Sequence, residues 1–489
     1  MTERSTSAGA SLLGLRSQGT WLRHRAAATA FLVLSAILIV SQQASFLLLK
    51  SDPDPFYRNV LNLGASYQRY FSFYYYYGGF PVNLENEKTR TRAEADATLA
   101  ALGGRLTPER NVYNRASLFL FYPDAYWKGR PDTAEMRTGL AICFTVALLA
   151  VFAALCYMRL PIFGLLVALL CGSDPFQVYE LYHLSSSTIF PTVISTGLLV
   201  LAICLFVAAA RRPWHRVTAL LLVAIAGVIG ALQYEVRLEG TGVFIGALVC
   251  LVCCFPQRTI TKVVCVCIFV ASAYATNVAL NRHFRASFEK ANQVIAAHGG
   301  TPAASGDPYY ATQWWALWSG LGDFDEKYGF LADDRAGLSY YYGHNGDQPS
   351  ERVHRQNYIS TVVHDPLWFA GIIRGRIARV LFENTPYRLA FGPHYVDIPV
   401  PPVVATTAGL LLVLAAGVLL GRHWLNLFIL PLSVGLVAVG QLADYGLQFY
   451  AIAHLFLFAY AACFVLDGIL LAVRRTAAAF IPSPRHLQA

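Results

Sequence analysis

Residues 26–49 read AAATAFLVLSAILIVSQQASFLLL, without a single Asp, Glu, Lys or Arg. About 20 apolar residues are needed to carry an α-helix through the ~30 Å hydrocarbon core of a bilayer. A helix is the form required, because lipid offers no partner to an open backbone N–H or C=O. The run is too long for the apolar part of a signal peptide, and no small-residue cleavage site follows it. It is therefore expected to be retained as a first membrane helix.

The rest of the chain repeats the pattern. Its 489 residues are 56% hydrophobic and 14% charged, against roughly 25% charged in a soluble domain. Ten apolar runs are candidate spans, near 26–49, 139–158, 160–172, 188–210, 217–234, 241–255, 263–281, 400–420, 425–441 and 446–471. The third is short. The expected fold is an all-α integral membrane protein with about ten transmembrane helices and two large extracytoplasmic loop segments containing interfacial helices. The layout is a tail at 1–25, helix one at 26–49, an outer segment at 51–138, helices two to seven within 139–281, a second outer segment at 282–399, helices eight to ten within 400–471, and a tail at 472–489.

Positive residues resist transfer across a bilayer, so short basic loops mark the cytoplasmic side. With Arg4, Arg16, Arg23 and Arg25 inside, alternation also puts Arg159, Arg211, Arg212, Arg216, Arg258, Lys262, Arg422, Arg474, Arg475 and Arg485 inside. The short loops on the other side are acidic: 173–186 has Asp174 and Glu180 with no Lys or Arg, and 441–449 has Asp444 alone. Both termini are then cytoplasmic. The tails and turns explain much of the formal charge of +9, so a nucleic-acid partner is not expected. All ten cysteines fall within the expected spans, where a thiol behaves as a small hydrophobe. The close pairs among Cys250, Cys253, Cys254, Cys265 and Cys267 have no nearby His or Asp, and read as packing rather than metal ligation.

The outer segments carry the aromatics. The first has Tyr74-Tyr75-Tyr76-Tyr77-Gly78-Gly79, suited to resting at the headgroup level or, less simply, to stacking on a sugar. The second has Trp314-Trp315-Ala316-Leu317-Trp318-Ser319-Gly320-Leu321-Gly322, followed by Asp323-Phe324-Asp325-Glu326-Lys327-Tyr328-Gly329. From Asn357 to Phe382, apolar residues alternate with His364, Asp365, Arg374, Arg376 and Arg379. This predicts an amphipathic helix in the interface, broken near Pro366, with a basic face for headgroups or a lipid phosphate.

Ionisable groups at membrane depth are costly and are functional candidates, and here they gather on one side. Asp52 and Asp54 follow helix one; Asp174, Glu180 and His183 lie between helices three and four; Glu235, Arg237 and Glu239 lie between helices five and six. A carboxylate among them is suited to act as a general base on an acceptor hydroxyl, and Arg237 to neutralise a leaving phosphate. Turn formation by Asp before Pro accounts equally well for Asp52 and Asp54, and a local ion pair equally well for Arg237. His183 has no second His at ligand spacing and reads as a hydrogen-bonded interfacial residue. A divalent cation is possible through the oxygens of Asp174 and Glu180; no cofactor is otherwise implied.

This order of features resembles the GT-C superfamily of polytopic glycosyltransferases. The resemblance rests on Ser51-Asp52-Pro53-Asp54 after helix one, Asp174-Pro175-Phe176-Gln177-Val178-Tyr179-Glu180 after helix three, and Val236-Arg237-Leu238-Glu239-Gly240 between helices five and six. It implies transfer of a sugar from a polyprenyl-phosphate donor at the outer face of a bacterial inner membrane. Asp52 or Asp54 would be the base, and Asp174, Glu180, His183, Arg237, Glu239, Arg374 and Arg376 would line the substrate site. The implied partners are membrane lipids and the polyprenyl-phosphate-linked sugar. The competing reading is a transporter or flippase of a lipid-linked or anionic substrate; a third is an assembly protein with an aromatic interface. Transporters often break their helices with Gly or Pro near the midplane. Here most runs are unbroken and the charges sit at one surface.

Overall fold

The first apolar run forms helix α1, Arg25–Leu47, and its faces are reversed relative to a soluble helix. Ser35, Gln42 and Gln43 are buried with Ile39 and Phe46, while Leu32, Val33, Leu34, Ile37, Leu38 and Val40 are exposed. In water that inversion would be unfavourable. In lipid it is expected, because apolar side chains meet acyl chains at no cost and polar ones find partners inside.

The computed structural model describes residues 25–47, 74–77, 80–83, 133–157, 160–173, 189–209, 215–236, 240–249, 251–252, 258–297, 313–322, 327–330, 350–382, 387–392 and 394–398. The expected spans at 400–420, 425–441 and 446–471 lie outside these residues, as do both tails. In chain order the elements are α1, strands β1 (Tyr74–Tyr77) and β2 (Phe80–Asn83), α2 (Thr133–Tyr157), α3 (Pro161–Gly172), α4 (Ile189–Ala209), α5 (His215–Val236), α6 (Gly240–Val249), α7 (Thr259–Ala297), α8 (Gln313–Ser319), α9 (Ser350–His364), α10 (Pro366–Phe382), β3 (Tyr387–Phe391) and β4 (His394–Ile398).

The described residues are mostly helical. Among them four segments are long and apolar enough to cross a membrane: Ala28–Leu47, Thr138–Tyr157, Arg216–Gln233 and Thr259–His283. By length and composition this is a membrane protein. Each of the first seven expected runs falls on a helix. Two of those helices are short: α3 has 12 residues and α6 has 10, or about 18 and 15 Å of helix.

α2 packs on α4, α3 and α1, and α5 packs on α4, α6 and α7. The core between them holds Phe144, Val151, Val167, Val200, Val223 and Phe269. The approach of α5 to α7 depends on a missing side chain. A Cβ at Gly227 would lie 2.1 Å from Ser272 Oγ and 2.3 Å from the Phe269 carbonyl oxygen, so small residues set the helix spacing, as is common in membranes.

The apolar part of α7, Thr259–His283, falls on the seventh expected run, and the helix continues beyond it to Ala297, 39 residues in all. One expectation is corrected: the described residues are mostly helical but not all-α. β1 and β2 form an antiparallel hairpin with Tyr77 opposite Phe80, and β3 and β4 form another with Phe391 opposite His394. The Tyr run, a strong strand former next to Gly78-Gly79, pairs as a strand, and its hairpin packs on α7. In the second hairpin Gly392 takes φ +58°, which a residue without Cβ adopts freely.

Candidate functional site

The end of α1 carries two consecutive amides, Gln42 and Gln43, both buried. They face the C-terminus of α3, where the Leu169 carbonyl also accepts the Ser173 N–H at 3.1 Å. Gln42 Nε2 shares its two hydrogens among the Leu169 carbonyl at 3.1 Å, Ser173 Oγ at 2.6 Å and the Ala390 carbonyl of β3 at 3.0 Å. Gln43 Nε2 donates to the Gly172 carbonyl at 3.1 Å. Ser173 Oγ donates to Leu169 O at 2.7 Å and accepts from the Ala390 N–H at 3.0 Å. One polar knot thus caps α3 and fastens β3 to α1.

Its packing is tight. A Cβ at Gly172 would sit 2.5 Å from Gln42 Oε1 and 2.6 Å from Gln43 Nε2. Gln43 Oε1 is buried without a hydrogen-bond partner among the described residues, leaving one amide acceptor open at the knot. The sequence signal was a pair of amides near the end of an apolar span, and the sequence reading missed it.

A second constellation is built by the Trp-rich stretch. α8 lies against α9, and Trp318 is buried edge-on to Phe330 at 5.1 Å and to His354 at 5.3 Å. Trp314 meets Tyr358 at 5.9 Å, and the Arg355 guanidinium stands over the Trp314 ring at 5.4 Å. Arg376, 1% exposed, donates from Nη2 to the Gly320 carbonyl just beyond α8. Burial raises the Tyr358 phenol above its ordinary pKa, and the charge of Arg376 acts against that rise.

The break expected near Pro366 is a capped corner. Asp365 Oδ1 accepts the Trp368 N–H at 3.1 Å, capping the start of α10, with Pro366 at its first helical position. Asp365 Oδ2 accepts from Lys327 Nζ at 2.6 Å and from Tyr328 Oη at 3.0 Å. These donors, Lys327 first and the Trp368 amide next, hold the Asp365 carboxyl down at about 2; the same bond lifts Lys327 above its ordinary 10.5. A carboxylate bound by three donors is a poor proton acceptor, so Asp365 is structural. Tyr328 pays a backbone penalty to reach it, with φ at 66° in the left-handed region.

Of the residues singled out from sequence, Asp52, Asp54, Asp174, Glu180, His183, Arg237 and Glu239 lie outside the described residues, as does the Arg379 side chain. Their neighbours are placed. α1 ends at Leu47, shortly before Asp52, and Ser173 immediately precedes Asp174, so the knot brings the described ends that lead to these acids together. α5 and α6 flank Arg237 and Glu239 directly. The single basic face expected across α10 is corrected: Arg374 is exposed, but Arg376 turns inward to the Gly320 carbonyl. Among the described residues no group of three His, Cys, Asp or Glu side chains is placed to hold a metal ion.

No protein-family model matches this chain, and no curated protein matches it.

Proposed function

We propose that the protein is a GT-C-like glycosyltransferase. It moves a sugar from a polyprenyl-phosphate donor to an acceptor at the outer face of a bacterial inner membrane, in a ten-helix chain with both termini cytoplasmic. The observation that supports this reading most directly is the knot of Gln42, Gln43, Ser173 and Ala390, which holds the ends of α1 and α3 together where each leads into an acidic motif. In this reading the acids that follow those two helix ends share one end of the bundle.

In this reading Asp52 or Asp54 takes the proton from an acceptor hydroxyl as its oxygen attacks the anomeric carbon. The bond from that carbon to the phosphate oxygen breaks, and the polyprenyl phosphate departs with the electron pair. Arg237 balances the charge of the leaving phosphate. Glu239, Asp174, Glu180 and His183 contribute polar groups to donor and acceptor.

The test is transfer of labelled sugar from a polyprenyl-phosphate donor by the purified full-length protein. Asp52→Asn or Asp54→Asn is expected to lower the rate by about 10²- to 10⁴-fold, the usual contribution of a general base. Full activity in both variants would remove the base assignment. Movement of the intact lipid-linked sugar between leaflets without transfer would replace the enzyme reading with the transporter one.

A further inference from the structure

The helix pair α9–α10 buries one face and presents another. Val353, His354, Ile372 and Arg376 are buried: Ile372 belongs to the Trp318 cluster, His354 meets the Trp318 ring and Arg376 donates to the Gly320 carbonyl. Arg352, Ile359, Val363, Leu367 and Arg374 follow one another at helical steps and are exposed. The stripe continues through the Asp365 corner. Asp365 N donates to Thr361 O at 2.9 Å and Phe369 N to Asp365 O at 3.2 Å, so helical bonding bridges Pro366. Val363 and Leu367 are 74% and 85% exposed. Large apolar side chains this open, on adjoining turns between two arginines, have the pattern of a helix seated in a bilayer interface.

The surroundings name the occupant. Among the described residues of the same chain, four helices are long and apolar enough to cross a membrane. α10 ends at Phe382 and β3 begins at Tyr387, where Ala390 is bonded to Gln42 and Ser173 at the ends of α1 and α3. Those few peptide steps span at most about 18 Å, so the helix pair is leashed to the level at which the membrane helices end. The charge of the pair is complementary to phosphate. Asp365 is its one acidic group among the described side chains, and Lys327 already neutralises it.

We infer that this stripe is a docking surface for an anionic phospholipid bilayer: Ile359, Val363 and Leu367 enter the acyl boundary, and Arg352 and Arg374 contact headgroup phosphates. The surface stands on its own geometry and does not depend on the chain being a glycosyltransferase.

The full-length protein in nanodiscs of phosphatidylglycerol or phosphatidylcholine, doped with a phospholipid bearing a diazirine in its acyl chain, provides the test. After illumination, adducts are mapped by peptide mass spectrometry. Adducts are expected on residues 359–367, with a preference for phosphatidylglycerol of about fivefold for each arginine near the surface. The triple variant Ile359→Ser, Val363→Ser, Leu367→Ser should lose about tenfold of this labelling, since apolar burial drives interfacial binding, while α1 and α7 label as before. Arg352→Gln with Arg374→Gln should abolish the lipid preference. Labelling of α1 and α7 with none on 350–374 would overturn the proposal, as would labelling that survives the serine variant. Cross-links between two copies through the stripe would assign the face to a second chain instead.

Discussion

Arg374 and Arg376 stand two positions apart on α10, and a helix turns through about 200° between them. That rotation separates their roles: one guanidinium is exposed, the other is buried and donates to the Gly320 carbonyl. A buried charged donor is costly to remove because its acceptor is left unsatisfied. Arg376→Met should therefore destabilise the purified protein by about 2 kcal/mol, whereas Arg374→Met in detergent should shift stability by less than about 0.5 kcal/mol. Thermal unfolding followed by Trp fluorescence checks both, and equal effects would contradict the assignment. The sequence displayed both arginines but not their difference. A period of alternating apolar and basic residues is satisfied equally by either face until α8 covers one of them.

At the scale of elements, the corner between α9 and α10 shows a break whose position was legible and whose mechanism was not. Pro366 announces an interruption in any sequence, and the helices do part at Asp365. The donors that fill the Asp365 carboxylate come partly from Lys327 and Tyr328, in a different element. Because those donors depress its pKa from 3.8 to about 2, the contribution of Asp365 to stability is fully present above its unfolded value. It is lost as pH falls through the folded one. The difference in melting temperature between the native chain and Asp365→Asn should thus stay constant down to about pH 5 and narrow between about pH 4 and 2. A difference that does not change with pH would show that the carboxylate charge has no part in the corner. The hairpins show the opposite case: four- and five-residue strands are too short to register against apolar runs of about 20 residues, and only pairing across a turn reveals them.

For the whole molecule, the decisive contact joins the first described helix to the last described hairpin. Gln42 finds its partners 127, 131 and 348 positions away, separations over which no local pattern carries information. This docking is directly testable. A Cβ at Gly392 would stand 3.5 Å from Ser45 Cβ, within the range that a disulfide spans. The double variant Ser45→Cys, Gly392→Cys should form that bond on mild oxidation, seen as a linked peptide by mass spectrometry; a failure to link in a variant that keeps the native melting temperature would mean that β3 does not sit on α1. Composition and the spacing of apolar runs determined by themselves that this is a helical membrane chain, because the free energy of placing a residue in lipid depends on its side chain and on a helix that satisfies its own backbone. The acidic motifs were legible in the same way, from their cost at membrane depth. Tertiary structure alone decided which polar groups turn inward, that Gln42 and Gln43 cap a neighbouring helix, and that Arg376 is buried while Arg374 is free to meet lipid. Each of those choices rests on partners distant in sequence, whose hydrogen bonds exist only once the helices are packed.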